Sequence, residues 1–152
     1  MQKKIEIRNK RAAFEYNLSE SFVAGIMLKG TEIKSLRDGA GSISEAYCFM
    51  KNGELFVKNM NIPEYSYGNL MNHDILRLRK LLLNKRELKK IDIKIREKGV
   101  AIVPVRLFLS DRGFAKLEIA LGRGKKSFDK RETIKLKEGK REMDRVMKKY
   151  RV

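Results

Sequence analysis

The stretch ISEAYCFMKNGELFVKN, residues 43–59, carries the clearest fold signal in the chain. Two runs rich in aromatic and aliphatic residues, 43–50 and 54–59, meet at Asn52-Gly53. A type I′ turn needs a positive φ at both central residues, and Asn-Gly adopts that conformation readily. The stretch therefore predicts a β-hairpin.

Further strand-like runs lie on both sides of this hairpin. Residues 12–28 are rich in aromatic and β-branched residues and predict one or two strands. Residues 100–109 and 114–121 predict two more, joined by a turn at 110–113, and 77–83 is a shorter run of leucines and basic residues. Pro104 has no N–H to donate, so it belongs at a sheet edge or at a bulge.

A short helix is predicted over residues 31–37, where Ile33 and Leu36 share one face. Thr31 is the predicted N-cap, because a threonine side chain can accept from the first free backbone N–H groups of a helix. Gly39 is placed to end the helix in a left-handed conformation.

Residues 84–98 fit two patterns. The run 91–95 alternates as a strand does, but Asn84 and Glu87 have the spacing of a capping box. Leu88, Ile91 and Ile95 also fall on one helical face, and Gly99 follows as a stop signal. We therefore predict a helix here.

These elements sum to about six short strands, one short helix and one longer helix, which is typical of a small barrel or sandwich. We expect one domain over 1–122 and a tail over 123–152, with 1–11 as a loose arm and 60–74 as a polar loop.

The tail is the most basic part of the chain. Residues 123–152 hold 13 Lys or Arg against 5 Asp or Glu, a net charge of +8 out of +17 for the whole chain. A segment with so few apolar residues cannot bury enough area to order itself alone. Its expected partner is a polyanion, because bound phosphates would supply the missing stabilisation.

A narrow apolar stripe lies near the end of this tail. Met143, Val146, Met147 and Tyr150 recur at helical spacing, and Leu136 lies one heptad earlier. The net charge and a glycine at 139 argue against a stable free helix. Two interpretations follow: a helix that forms on RNA or protein, or a tail that only neutralises phosphates.

Signals for an enzyme are nearly absent. We expect the single histidine, His73, to be a surface or RNA-contacting residue, and the single cysteine, Cys48, to be a small core residue. Metal-ligand spacings, a dinucleotide fingerprint and a phosphate-binding loop are missing, so no metal and no cofactor are expected. The enzyme alternative is an RNA hydrolase that pairs His73 with Asp74 or Glu64.

The composition also bears on compartment. A lone cysteine cannot form an internal disulfide, and no apolar run approaches the roughly 20 residues of a spanning helix. The first residues, MQKKIEIRNKR, lack a hydrophobic signal core. We expect a cytoplasmic protein that does not bind membranes, and a structural ribosomal protein remains a second alternative.

Several features favour contact with nucleic acid. The run 122–126 combines flexible glycines with cations at the end of a predicted strand. A second basic cluster is spaced by leucines, either as an RNA-binding face or as a solvated face above core leucines: Arg77, Arg79, Lys80, Lys85 and Arg86. Four aromatic residues are candidates for stacking on unpaired bases, although two of them, Phe14 and Tyr47, also suit a core: Phe14, Tyr47, Tyr65 and Tyr67.

Five motifs in order along the chain resemble one family. They are Asn9-Lys10-Arg11, GTEIKSLR at 30–37, ISEAY at 43–47, RKLLLN at 79–84 followed by Arg86-Glu87-Leu88, and GKK at 124–126 followed by Asp129-Lys130-Arg131. This set resembles the SmpB family, the SsrA-binding proteins that partner transfer-messenger RNA (tmRNA).

The resemblance implies a mainly β fold with flanking helices, an OB-type six-stranded β-barrel with a basic C-terminal tail. It implies a non-enzymatic adaptor for trans-translation, in which the barrel binds the tRNA-like domain of tmRNA. The tail would lie in the decoding centre and mRNA channel of the small ribosomal subunit, disordered when free and helical when bound. Elongation factor Tu would be reached indirectly, through the aminoacylated tmRNA, and the protein would act as a monomer.

The resemblance also assigns residues to each role. The expected tmRNA-binding residues are Asn9, Lys10, Arg11, Glu32, Lys34, Arg79, Lys80, Leu82 and Asn84. The expected tail residues at the ribosome are Gly124, Lys125, Lys126, Asp129, Lys130, Arg131, Val146, Met147 and Lys148. The chain departs from the family pattern at three positions, where other members carry a histidine, an acidic residue and a tryptophan: Phe14, Val23 and Gly139.

Overall fold

Seven strands and four helices follow one another along the residues that the computed structural model describes, which are 5–66, 72–125 and 127–150. In the last range the described side chains are those of 130–132 and 134–145. The elements are β1 (Glu6–Arg8), α1 (Ala12–Glu15), β2 (Tyr16–Ile26), α2 (Gly30–Arg37), β3 (Tyr47–Lys51), β4 (Glu54–Lys58), β5 (Arg79–Leu82), α3 (Lys85–Ile95), β6 (Val100–Leu109), β7 (Ala115–Gly124) and α4 (Ser127–Tyr150).

Six of the strands close into a ring, which we call the strand ring. Its order is β6-β3-β4-β5-β2-β7, and β7 pairs with β6 to complete it. All pairings are antiparallel, and β1 adds to the outer edge of β6. The prediction of a mainly β, OB-type six-stranded structure with flanking helices is confirmed.

The turns of the ring follow the local signals in the sequence. Asn52 and Gly53 have φ values of 52° and 76°, so the β3–β4 hairpin closes with the positive φ pair that Asn-Gly predicts. The β6–β7 pairing shifts register between Pro104 and Arg106, which confirms a bulge at the proline.

The apolar core fills the ring and extends under two helices. Leu55, Leu117 and Ile119 are fully buried inside it. Ile91 of α3 and Leu36 of α2 belong to the same core, so both helices pack their apolar faces against the strands. Burial of these side chains is the main stabilising contribution to the fold.

The helix predicted after Asn84 is confirmed. The Oδ1 atom of Asn84 accepts from the backbone N–H of Glu87 at 2.8 Å, and the Glu87 carboxylate accepts from the backbone N–H of Asn84 at 3.4 Å. Such a capping box satisfies two N–H groups that lack partners within the helix. The helix ends at Ile95, earlier than predicted, and Gly99 turns the chain into β6 with a φ of +81°.

The start of α2 corrects the prediction for Thr31. The helix begins at Gly30, and the Glu32 carboxylate accepts from the backbone N–H of Lys29 at 2.8 Å, so Thr31 is not the N-cap. Its hydroxyl is instead hydrogen-bonded to His73. At the other end Gly39 has a φ of +82° and donates its N–H to Leu36 O, as predicted.

The prediction of a loose arm over 1–11 is wrong for its described part. Residues Glu6–Arg8 form β1, which pairs with β6 about a hundred residues later in the sequence. Asn9 continues the attachment, since its backbone N–H donates to Val105 O and its side-chain amide donates to Pro104 O. The short helix α1 then precedes β2, so the predicted strand run starts at Tyr16 rather than at 12.

The fourth helix covers most of the predicted tail and passes through Gly139 without interruption. Nearly all of its described side chains are exposed, including Leu136 at 76% and Met143 at 69%. Among the described helices none combines the length and the apolar character needed to cross a membrane. That this segment is disordered when free and helical when bound stays a prediction.

Candidate nucleic-acid interface

A buried ion network joins α2 to the segment around β5. The Glu32 side chain has no exposed surface, and its Oε1 atom accepts from Arg77 Nη2 at 2.5 Å and from Arg77 Nε at 3.1 Å. Its other oxygen, Oε2, accepts from Nε of Arg79, which is also fully buried. One carboxylate thus holds two guanidinium groups.

These contacts decide the charge state of the carboxylate. Burial raises the pKa of Glu32, but the hydrogen bonds from Arg77, from the Lys29 backbone and from Arg79 outweigh it. The pKa of Glu32 therefore lies below its ordinary value, and the group is ionised at neutral pH.

The two arginines also bind backbone carbonyl groups. Arg79 donates to Met60 O at 2.5 Å and to Ile75 O at 3.2 Å. Arg77 donates to Met27 O at 3.3 Å, at the end of β2. The network consequently ties together α2, the end of β2, the segment after β4 and the start of β5.

His73 lies beside this network and corrects the prediction of a surface histidine. It is 2% exposed, with Nε2 2.8 Å from Ile62 O and Nδ1 2.8 Å from the Thr31 hydroxyl. A carbonyl oxygen only accepts, so Nε2 carries the proton and Nδ1 accepts from Thr31 in the neutral ring. A histidine so enclosed cannot contact an RNA in this conformation, and the hydrolase alternative loses its proposed base.

The outward surface of β2 and β5 is mainly apolar and includes the basic residue Lys80. We define the β2–β5 face by Val23, Gly25, Met27, Leu78, Lys80 and Leu82. Its four large apolar side chains are 46–53% exposed. The expected pattern of core leucines under basic residues holds only in part: Leu81 is buried, but Leu78 and Leu82 face outward while Arg79 is buried.

Two of the predicted tmRNA-binding residues lie together on this face. Lys80 is held to Glu54 at 2.9 Å, and Leu82 pairs with Gly25, where an added Cβ would be only 3.4 Å from the Leu82 Cβ. Asn84, at the start of α3, follows Leu82 after one residue. Lys34 is exposed on α2 with its Nζ atom 5.8 Å from the ring centroid of Tyr65.

A second surface forms at the other end of β2, where the tail begins. The last residue of β7, Gly124, pairs with Tyr16, and the backbone N–H of Lys125 donates to Glu15 O at 2.8 Å. Arg11 forms an exposed ion pair with Glu45 at 3.0 Å. We call this region the tail-root surface.

A cleft of about 340 Å³ lies in the tail-root surface, between α1, β3 and β6. It is lined by Asn9, Arg11 and Tyr47, of which Tyr47 is 45% exposed. Of the aromatic residues predicted to stack on bases, Tyr47 is therefore accessible here. Phe14 is half-buried, and Tyr67 lies outside the described residues.

The predicted tmRNA-binding residues thus fall into separate groups. Asn9, Lys10 and Arg11 lie at the tail root, while Leu82 pairs near the far end of β2. The nine residue-to-residue steps from Tyr16 to Gly25 span roughly 30 Å of extended strand. Glu32 and Arg79 are buried beneath the β2–β5 face, so in this conformation they support that surface without touching a ligand.

The predicted tail residues are only partly described. Lys130 is half-buried and Arg131 is exposed at the start of α4. The backbone of Asp129, Val146, Met147 and Lys148 belongs to the helix, but their side chains lie outside the described residues, as does Lys126.

The described residues offer neither a metal-ligand cluster nor an exposed thiol. They contain no group of three or more His, Cys, Asp or Glu side chains that could hold a metal ion. Cys48 is buried, and burial raises the pKa of its thiol, which keeps it protonated and unreactive at neutral pH. The prediction of a core cysteine is confirmed.

The comparisons with known proteins agree with this geometry. The family model described as SmpB protein matches residues 6–149, which includes both surfaces and nearly all of α4. The chain belongs to the SmpB family.

Individual SmpB relatives match along almost their whole length. The SsrA-binding protein of Cytophaga hutchinsonii is 56% identical over 144 residues, covering 95% of this chain and 94% of the relative. That of Novosphingobium aromaticivorans is 49% identical over 147 residues, covering 97% and 92%. A chain of the solved structure described as "tmRNA-SmpB: a journey to the center of the bacterial ribosome" has a TM-score of 0.69 and 40% identity, covering 86% of this chain and 94% of that chain.

Sequence reasoning missed the buried network. It assigned Arg77 and Arg79 to a basic surface because arginine is rarely buried. One available signal was Glu32, since a buried arginine needs a carboxylate partner. However, 45 residues separate Glu32 from Arg77, and no local pattern links them.

Proposed function

We propose that this protein is the tmRNA-binding adaptor of trans-translation. It binds the tRNA-like domain of tmRNA and delivers it to stalled ribosomes in the bacterial cytoplasm, as a monomer and without chemistry of its own. Elongation factor Tu participates through the aminoacylated tmRNA. The observation that carries this proposal is the match to the SmpB family, which extends from β1 through α4.

The strand ring and the tail divide the work between tmRNA binding and ribosome binding. The β2–β5 face, with Lys80, Leu82 and the nearby Asn84, contacts tmRNA. Asn9, Lys10 and Arg11 at the tail-root surface also contact tmRNA. The tail from Gly124 onward, with α4, enters the decoding centre and mRNA channel of the small subunit, where its net charge favours contact with RNA phosphates.

A competition experiment tests the RNA partner. Labelled tRNA-like domain of the Cytophaga hutchinsonii tmRNA is bound at near-physiological salt and challenged with excess bulk tRNA. We expect the complex to resist the excess, because shape and loop contacts add to generic phosphate attraction. Displacement in proportion to the added tRNA would show that the charge of +17 acts only as a nonspecific attractor.

A truncation tests the role of the tail. The cut belongs after Lys125, because β7 continues to Gly124 and the Lys125 N–H is bonded to Glu15. We expect the shortened protein to bind tmRNA almost normally and to lose peptide tagging on stalled ribosomes. Equal loss of binding and tagging would contradict the division of labour.

A milder variant tests the apolar stripe of the tail. Replacing both Val146 and Met147 by Ser should impair tagging while leaving the affinity for tmRNA nearly unchanged. If affinity fell as far as tagging, the stripe would be part of the tmRNA-binding surface. The matched control replaces Lys140 and Arg141, six residues earlier, by Gln.

A further inference from the structure

We propose that Arg77 contacts a backbone phosphate of the bound RNA and that Glu32 is the positioning residue that holds it there. This inference rests on the proposed function. It adds Arg77 as an RNA contact beside the β2–β5 face and changes the expected role of Glu32 from contact to positioning.

The position of Arg77 is the first argument. Its side chain is 27% exposed, whereas Glu32 and Arg79 are fully buried, so Arg77 is the member of the network that reaches solvent. It donates to the carbonyl of Met27, whose own side chain is 53% exposed. Its guanidinium therefore lies at the border of the β2–β5 face.

Hydrogen-bond accounting is the second argument. A guanidinium has five N–H donors. Contacts with described residues use Nε–H and both N–H groups of Nη2, on Glu32 and Met27 O, and a long contact of 3.5 Å to Leu78 O uses one on Nη1. One Nη1 donor remains within the described part of the chain, and a phosphate oxygen is a strong acceptor for it.

Charge balance is the third argument. One buried carboxylate faces two guanidinium groups, which leaves an excess of one positive charge at the site. Asp74 also acts electrostatically on Arg79, but it lies in the exposed turn before β5, where solvent screens it. An RNA phosphate at the exposed edge of Arg77 would balance the excess.

Rigidity explains why Glu32 matters. A free arginine loses considerable rotamer entropy when it binds a phosphate. Arg77 is already held by Glu32, by the end of β2 and by the start of β5, so most of that ordering is complete before RNA arrives.

The test measures the affinity and the salt dependence for the tRNA-like domain of Cytophaga hutchinsonii tmRNA. We expect Arg77→Gln to bind roughly tenfold more weakly, as charge-assisted hydrogen bonds commonly contribute this much. Its slope of log K against log salt should fall by about 0.7–0.9, the value for one phosphate contact. Arg8→Gln is the matched control, because it removes the same charge from an exposed ion pair on β1.

The positioning role is tested by combining variants. Glu32→Gln should weaken binding although it removes a negative charge, and Glu32→Gln with Arg77→Gln should bind no more weakly than Arg77→Gln alone. Arg77→Lys keeps the positive charge but loses the planar guanidinium that bonds Glu32 with two N–H groups. Compared with Arg77→Gln, we expect it to recover the wild-type salt slope but not the wild-type affinity. Arg77→Lys also tests the positioning role if Glu32→Gln does not fold.

The outcomes separate this inference from the proposed function. If the unaltered protein fails to discriminate tmRNA from bulk tRNA, the proposed function is wrong. If it discriminates but Arg77→Gln behaves as Arg8→Gln, the phosphate contact is wrong. Wild-type affinity in Glu32→Gln or in Arg77→Lys would overturn the positioning role.

Discussion

In the strand ring, alternate side chains of six strands share one interior, whereas the described side chains of α4 are nearly all in solvent. Leu117 in β7 is fully buried, while Leu136 in α4 is 76% exposed. The ring also encloses an ion network that bonds to several backbone segments. The ring is therefore stabilised by contacts among its own residues, while α4 depends on helix propensity and on whatever it binds.

Loss of Arg79 should have the largest effect on the ring. Replacing Arg79 by Met leaves the buried Glu32 without one of its two cationic partners and frees the carbonyls of Met60 and Ile75. We expect the free energy of unfolding to fall by about 3 kcal/mol or more, as is usual when one partner of a buried ion pair is removed. Urea denaturation followed by near-UV circular dichroism measures it.

The control for this variant is Arg96→Gln, which breaks an exposed pair with Asp92 on α3. Such surface pairs contribute only about 0.3–0.5 kcal/mol. If Arg79→Met and Arg96→Gln lowered the free energy of unfolding equally, the buried network would stabilise the fold no more than an exposed ion pair does.

Two leucine truncations compare the regions directly. Leu117→Ala should cost about 2–5 kcal/mol, because it removes buried methyl groups and leaves a cavity. Leu136→Ala should change the free energy of unfolding by less than about 0.5 kcal/mol, since its side chain is exposed. A comparable loss in both would indicate that α4 packs on the ring in solution.

Acid should weaken the ring through Glu32. The pKa of Glu32 in the folded protein lies below its ordinary value near 4.5, so its contribution is fully present above that value. This contribution to the free energy of unfolding is lost as the pH falls from about 4.5 through the lower pKa of Glu32 in the folded protein. We expect denaturation midpoints between pH 7 and pH 3 to fall less in Glu32→Gln than in the unaltered protein. Parallel profiles would show that Glu32 is not ionised in the fold.

The smallest effect is expected in α4. Gly139→Ala should stabilise the helix by up to about 1 kcal/mol, because alanine loses less backbone entropy on becoming helical. Far-UV circular dichroism of the full chain should show more helix, with an unchanged unfolding midpoint for the ring. A shift of that midpoint would show that the two regions unfold together.

Sequence patterns predicted the parts of the fold that depend on neighbouring residues. The Asn52-Gly53 hairpin and the Asn84–Glu87 capping box are each completed within four residues, so local chemistry determines them. The family motifs likewise predicted the correct family, because five ordered motifs are far more specific than one.

Long-range contacts explain what the sequence did not reveal. Glu6–Arg8 becomes a strand because β6 offers a free edge about a hundred residues away. His73 is buried because Thr31 and Ile62 supply partners for both ring nitrogens. The separation of Arg11 from Leu82 depends on the length of β2, which the predicted strand run did not define.

The short connection between β7 and α4 fixes how far the end of the helix lies from the strand ring. Lys125 is fixed to Glu15 through its backbone, and the helix begins two residues later. At 1.5 Å per residue, 24 helical residues carry the far end about 36 Å from that fixed point. Successive helical residues are also turned by about 100°, so each residue inserted near the start of α4 would both extend the helix and rotate everything beyond the insertion by that angle.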